Sequence, residues 1–212
     1  MIDFSAYKAA IFDLDGVITD TAPFHFKAWK KLADELGIRF TEEDNEQLKG
    51  VDRMESLERL LALGEHRYSD EEKQAMAADK NAYYQQLIEQ LTAEDILPGV
   101  MPLLDQLAKN SVKLAIASAS RNARTILNGL QLTDRFDYIA DPTYARSKPA
   151  PDIFLYAAYG VKVHPTQCIA FEDSIAGLQA IKDCSMFAVS VGHDDLRRYS
   201  DAHVHRLDEL LT

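Results

Sequence analysis

Two acidic residues two positions apart, Asp13 and Asp15, open the run Phe12-Asp13-Leu14-Asp15-Gly16-Val17-Ile18-Thr19-Asp20-Thr21, directly after the apolar segment Ala9 to Phe12. Carboxylates crowded in this way repel. At 4 Å and an effective dielectric near 20, two unit charges oppose each other by about 4 kcal/mol. A divalent cation offsets that repulsion, and an all-oxygen donor set favours Mg²⁺ over zinc. A second acidic pair, Glu172-Asp173, follows another apolar run, Ile169 to Phe171. Between the two pairs come Ser118-Ala119-Ser120, after Leu114 to Ala117, and Arg146-Ser147-Lys148-Pro149. Hydroxyls and backbone N–H groups ahead of a helix favour an anion, and a lysine adds a point charge that suits phosphate. Each feature alone also fits a plain reading: an acidic loop capping a helix, a solvated loop lysine, a helix start stabilised by the macrodipole. In chain order, carboxylates, hydroxyl, lysine and carboxylates make a phosphate-plus-metal set, provided that the fold brings them together.

The elements needed to do so are legible. Ala9 to Phe12, Leu114 to Ala117, Ile169 to Phe171 and Phe187 to Val191 are near-continuous apolar runs, the pattern of strands covered on both faces. Helical stretches, Asn122 to Leu130, Asp152 to Tyr159 and Ser174 to Cys184, lie between the later ones. Strand and helix in alternation predict an α/β fold with a doubly wound parallel sheet, whose ligands sit at the carboxyl ends of the strands. The segment 20–92 breaks the rhythm. It predicts helices over Phe24 to Leu36, after Thr41, over Met54 to Leu63, and a long one after Ser69. Thr41 with Asp44, and Ser69 with Glu72, have capping-box spacing. The expected organisation is an α/β core domain of residues 1–19 and 93–212 with an inserted α-helical cap domain, 20–92. The stretch HDDLRRYSDAHVHRLDELLT after Val191 reads as a reduced final strand and helix.

Composition narrows the function. With 23 Lys plus Arg against 34 Asp plus Glu, the 212-residue chain carries a formal charge of −11. That is a poor footprint for a nucleic-acid binder or for a protein held on an anionic membrane. No apolar stretch approaches the roughly 20 residues of a membrane span. The two cysteines, Cys168 and Cys184, form no C-x-x-C pair, and MIDFSAYKAAIF lacks the pattern of a secretory leader. A cytoplasmic protein is expected.

The order D-x-D-G, S, K-P and E-D resembles the four motifs of the haloacid dehalogenase superfamily of phosphotransferases, Rossmannoid proteins, and the helical insert is similar to the cap of its first structural class. FDLDGVITDTAPFHFKAW, NEQLKGVDR, ASASRN and SKPAPDIF narrow the resemblance to the β-phosphoglucomutase family. The resemblance implies a Mg²⁺-dependent isomerase that interconverts β-D-glucose 1-phosphate and D-glucose 6-phosphate. It implies an aspartyl-phosphate enzyme, with β-glucose 1,6-bisphosphate as intermediate and activator. It also implies a monomer, which no dimerisation heptad contradicts. The alternative is a sugar-phosphate phosphatase of the same superfamily. Carried over residue by residue, Asp13 is the nucleophile and Asp15 the general acid and base. Mg²⁺ is held by the Asp13 carboxylate, the Asp15 carbonyl and Asp173, with Glu172 direct or adjacent. Ser118 and Lys148 hold the transferring phosphoryl group, and Arg53 clamps the other phosphate. Thr21, His25, Trp29, Gly50, Ser56, Lys80, Ser120 and Asn122 line the site or support cap closure.

Read from the residues alone, Arg53 is equally a surface arginine at a helix start. His25 lies one helical turn after Thr21, so the two can share a face. Trp29 continues that face as a core residue, and Tyr83-Tyr84 reads as packing. His164, His193, His203 and His205 read as surface loop or tail residues without metal-ligand spacing. Arg121 stands where the family commonly has lysine, which keeps charge but not geometry. A non-catalytic relative on this scaffold would be expected to lack Asp13, Asp15, Lys148 or Asp173, and all four are present.

Overall fold

In a computed structural model that describes residues 2–48 and 51–211, the run Ala9–Phe12 forms β1, buried throughout, in the middle of a parallel sheet. The other strands are β2 (Lys113–Ile116), β3 (Tyr138–Ile139), β4 (Cys168–Glu172), β5 (Phe187–Val191) and β6 (Ala202–Val204). The six-stranded order is β3-β2-β1-β4-β5-β6. Side chains alternate across the sheet. Phe12, Ile116 and Phe171 face one side with α5 (Val100–Lys109) and α6 (Ala123–Gly129). Ile11, Ala115 and Ala170 face the other with α7 (Asp152–Gly160) and α8 (Ile175–Asp183). The rings of Phe12 and Phe171 stack with centroids 4.6 Å apart. Burying each such side chain contributes about 1.5–3 kcal/mol.

The chain builds outward from β1 to β2 and β3, then crosses back to β4 on the other side of β1. That reversal opens a crevice beyond the carboxyl ends of β2, β1 and β4, where open α/β sheets bind ligands.

Between β1 and α5 stand α1 (Ala22–Glu35), α2 (Glu42–Glu46), α3 (Arg53–Leu61) and α4 (Asp70–Ile88). Both capping boxes form, Thr41 with Asp44 and Ser69 with Glu72. Asp52 caps α3 by accepting from the Met54 and Glu55 N–H groups at 2.7 and 3.0 Å. These helices share an apolar cluster that includes Trp29, Phe40, Leu57 and Leu60. The far end of α4 (Tyr84, Leu87, Ile88) instead joins the core on the sheet face. The chain leaves and re-enters the sheet domain at one place: Leu97 N–H donates to the Ile18 carbonyl at 2.9 Å, and Thr19 Oγ1 to the Asp95 carbonyl at 2.8 Å.

Two elements, β3 and α5, exceed what the sequence pattern predicts, whereas the expected C-terminal strand and helix are present. Strand β3 has two residues, too few for periodicity to register. Helix α5 contains Pro102 in its first turn, where a missing N–H loses no helical bond. The reduced C-terminal segment forms β6 at the sheet edge, and the helix after it is a 3₁₀ segment, Leu207–Leu211. Among the described residues no helix is long and apolar enough to cross a membrane.

Candidate active site

Each chemistry-bearing motif leaves the carboxyl end of a strand or the loop beside it. Asp13 follows β1, and its N–H donates to the Phe171 carbonyl at 2.9 Å, continuing the ladder by one residue. Lys148 Nζ donates to Asp13 Oδ1 at 2.9 Å and to Glu172 Oε2 at 2.8 Å, and all three side chains are buried. Gly16 has φ +76°, and a Cβ there would lie 2.1 Å from Asp173 Oδ2. In α8, a Cβ on Gly177 would lie 2.0 Å from Glu172 Oε2. Both glycines therefore let a carboxylate press against backbone.

Carboxylate oxygens of Asp13, Glu172 and Asp173 lie within 4.8 Å of one another. Three carboxylates against Lys148 leave this set with excess negative charge. Burial, and then the Glu172 charge, push the Asp13 carboxyl up to about 7, against the pull of Lys148. Burial works against the Lys148 charge, but Asp13 and Glu172 outweigh it and raise its pKa. The donors are hard oxygens converging on a crowded anionic point, which fits Mg²⁺. Within the set, Glu172 has its own tasks. Its Oε1 accepts from Asp173 N–H, Ser174 N–H and Ser174 Oγ at 3.1, 2.9 and 2.7 Å, while Oε2 holds Lys148. Asp15 Oδ1 accepts from the Thr21 N–H at 2.7 Å.

A cavity of about 510 Å³ runs from Asp13, Asp15 and Ser118 under the inserted helices to His25, Arg53 and Lys80. That volume suits a small-molecule ligand. Its far end is cationic. Lys80 is buried, with Nζ 3.1 Å from His25 Nδ1 and 4.2 and 4.7 Å from the ring centroids of Trp29 and Tyr84. Burial, and then the Arg53 charge, push Lys80 down to about 7, against the pull of Asp15. Burial, Lys80 and Arg53 hold His25 well below the usual histidine range. Burial and Arg121 lower Arg53. Basic groups kept from charging by burial and by one another would regain their protons beside an anion, which makes this end a place for one.

Other side chains named from the sequence take supporting positions. Thr21 Oγ1 accepts from Tyr84 OH at 3.2 Å. Ser56 Oγ donates to the Asp52 carbonyl at 2.8 Å at the start of α3. Ser118 Oγ accepts from Ser120 N–H at 3.1 Å, and Ser120 Oγ from Asn122 N–H at 3.2 Å, which shapes the loop after β2. The Asn122 amide is committed to α4: it donates to Asn81 Oδ1 at 2.9 Å and accepts from Gln85 Nε2 at 3.1 Å. Trp29 is both core and cavity wall. Gly50 lies outside the described residues.

One expectation is extended and one corrected. Tyr84 packs in the core as expected, and it also lines the cavity and bonds to Thr21. Its place one turn after Lys80 on α4 was the available signal. His203, read as a surface residue, has a side chain only 3% exposed, because β6 turns it onto Ser190 of β5. The sequence reading also missed the link between Ser147 Oγ, beside Lys148, and the Asp52 carboxylate at the start of α3. It joins the inserted helices to the core across the cavity.

The sequence and the fold both match known proteins. The pattern of the family described as haloacid dehalogenase-like hydrolase matches residues 7–184. The β-phosphoglucomutase of Bacillus subtilis is 50% identical over 96% of this chain and 91% of its own length. A fructose-1-phosphate phosphatase of Escherichia coli is 30% identical over 89% of this chain and 98% of its own. The crystal structure of a β-phosphoglucomutase from Clostridium difficile superposes with a TM-score of 0.94 at 46% identity, covering 96% of this chain and 93% of that one. With the family pattern spanning most of the sequence and such identity sustained along nearly its full length, the chain belongs to the haloacid dehalogenase-like hydrolase family.

Proposed function

We propose that the chain is a Mg²⁺-dependent β-phosphoglucomutase, interconverting β-D-glucose 1-phosphate and D-glucose 6-phosphate through β-glucose 1,6-bisphosphate, which also primes the enzyme. One observation supports the reading beyond family membership: a single cavity joins Ser118 and Lys148, beside the carboxylates that would hold Mg²⁺, to the basic side chains His25, Arg53 and Lys80 at its other end, two places suited to phosphate. A monophosphate phosphatase needs one such place; a bisphosphate intermediate needs both.

In this reading an Asp13 carboxylate oxygen attacks phosphorus, the bond to the sugar oxygen breaks, and Asp15 gives that oxygen a proton. Lys148 and Ser118 hold the equatorial phosphoryl oxygens, where charge is stabilised during transfer. When the group lost is the C1 phosphoryl of the bisphosphate, glucose 6-phosphate leaves. β-Glucose 1-phosphate then presents its 6-hydroxyl to phospho-Asp13. Asp15 takes the hydroxyl proton, and the phosphoryl group leaves Asp13 for that oxygen, which regenerates the bisphosphate. The Asp13 and Asp173 carboxylates and the Asp15 carbonyl would hold Mg²⁺, with Glu172 braced behind them. The ion would supply positive charge beside the transferring phosphoryl oxygens. Arg53 and Lys80 keep the other phosphate in place, so that a sugar hydroxyl rather than water meets phospho-Asp13. Oriented groups reach effective molarities of about 10⁵ M or more, enough to outcompete water. Asp15 exchanges its hydrogen bond from Thr21 N–H for the sugar hydroxyl in order to act on it.

The test is a coupled assay of glucose 6-phosphate formation from β-glucose 1-phosphate, with Mg²⁺, a trace of the bisphosphate, and free phosphate followed in parallel. Isomerisation with little phosphate released supports the mutase. Phosphate release without isomerisation would replace it by the phosphatase reading.

A further inference from the structure

Outside the cavity beneath the inserted helices, the C-terminal strand assembles a second cluster, whose His205 lines a neighbouring cavity that Asp13, Asp15 and Asp173 also line. His203 lies in β6 and His205 just beyond it, two residues apart, so both side chains project from one face. Asp194, nine residues earlier in a 3₁₀ segment, meets them there. Asp194 Oδ1 is 3.5 Å from the Nε2 atoms of both His203 and His205, and the three donor atoms lie within 4.8 Å of one another. We propose that Asp194, His203 and His205 form a binding site for a first-row transition metal ion of the zinc type, separate from the Mg²⁺ carboxylates.

A buried atom without a partner carries this assignment. Although the His203 side chain is only 3% exposed, its Nε2 has no hydrogen bond among the described residues. Burying a polar atom unpaired is unfavourable, and this one is aimed at the cluster. The other ring nitrogen, Nδ1, lies 2.8 Å from Ser190 Oγ, whose own proton has outlets at Ser200 Oγ (2.8 Å) and the Ala202 carbonyl (3.5 Å). Ser190 Oγ can therefore accept from Nδ1–H, the tautomer in which Nε2 offers a lone pair to a metal. A metal-bound histidine almost always donates its second nitrogen in this way.

The geometry is close to what zinc needs. Bonds of about 2.0–2.1 Å in a tetrahedron set neighbouring ligand atoms roughly 3.3 Å apart. The two nitrogen-to-oxygen separations are already 3.5 Å. Two imidazoles with one carboxylate suit zinc and its neighbours rather than Mg²⁺. Asp194 and His205 are exposed, which gives an ion access and leaves room for a water as fourth ligand. Arg197 Nη2, 3.4 Å from Asp194 Oδ1, is the competing partner that the ion displaces.

The test uses untagged full-length protein, stripped with chelator and then held in saturating Mg²⁺ to occupy the catalytic carboxylates. ZnCl₂ is titrated calorimetrically, and Co²⁺ serves as a visible-absorption probe of coordination. One zinc per chain is expected, with four-coordinate Co²⁺ bands. Asp194→Asn and His205→Gln, both at exposed positions and so compatible with folding, should weaken zinc binding about 100-fold or more. Ser190→Ala, which removes only the outer hydrogen bond, should weaken it about 10- to 100-fold. No zinc binding in the presence of Mg²⁺, or an affinity unmoved by these substitutions, would overturn the assignment.

Discussion

Lys80 lends itself to a quantitative test, because its charge and its ligand are tied together. The free protein holds it near 7, through burial first and the Arg53 charge second; Asp15 alone pulls the other way. The neutral His25 ring and the faces of Trp29 and Tyr84 complete its surroundings. In the unfolded chain Lys80 titrates near 10.4. Between these values the unfolded chain binds a proton that the folded chain does not. Stability therefore rises with pH across that window, and the charged group opposes folding by about 5 kcal/mol below it. A phosphate dianion beside Lys80 reverses the balance and restores the proton. At pH 8 about nine-tenths of the free protein has neutral Lys80, so binding should take up about 0.9 proton; at pH 6 the figure is about 0.1. The assay is calorimetric binding of β-glucose 1,6-bisphosphate, with Mg²⁺, in buffers of different ionisation enthalpy. An Asp13→Asn background prevents turnover and removes the titration of Asp13 itself. The difference between this protein and its Lys80→Met derivative isolates the lysine. Equal proton uptake in the two proteins at pH 8 would refute the reasoning, and with it the placing of the second phosphate at Lys80.

Three further outcomes are expected. Asp15→Asn should retain Mg²⁺ and bisphosphate binding by calorimetry while turnover falls about 10²- to 10⁴-fold, the usual contribution of a positioned acid–base group; near-normal turnover would remove Asp15 from that role. Arg53→Ala should raise the ratio of phosphate released to glucose 6-phosphate formed, because a loosened sugar lets water compete for phospho-Asp13; the two products measured together decide it, and an unchanged ratio rejects the clamp. Gly16→Ala places a side chain at φ +76° with its Cβ 2.1 Å from Asp173 Oδ2. It should destabilise the fold by about 1–3 kcal/mol in denaturant unfolding and weaken Mg²⁺ binding; wild-type Mg²⁺ affinity would mean that Asp173 is not a ligand.

The fold and the reacting end of the site were largely readable from local signals, because both are written in short stretches. An apolar run followed at once by D-x-D-G states strand, turn and carboxylates within a few residues. Strand β5 has the boundaries its composition suggests, and both capping boxes form where their spacing puts them. The parallel sheet follows from alternation alone, and the carboxyl ends of its strands then have to carry the motifs.

What joins residues distant in sequence was not readable, since no local pattern encodes it. The double hydrogen bond of Lys148 spans β1 and β4. The bond from Ser147 to Asp52 closes the inserted helices on the core, and Asn122 ties to α4. Tyr84 and Lys80 acquire their meaning only when α4 lies across the cavity beside Trp29 and His25. His203 looks like a tail residue until edge pairing of β6 with β5 turns its ring inward against Ser190. Sequence alone determined which chemistry the chain can perform, because residue type sets charge and donor character. Tertiary structure decided which of those groups meet, and burial, a property of the packed whole, decided their charge at neutral pH.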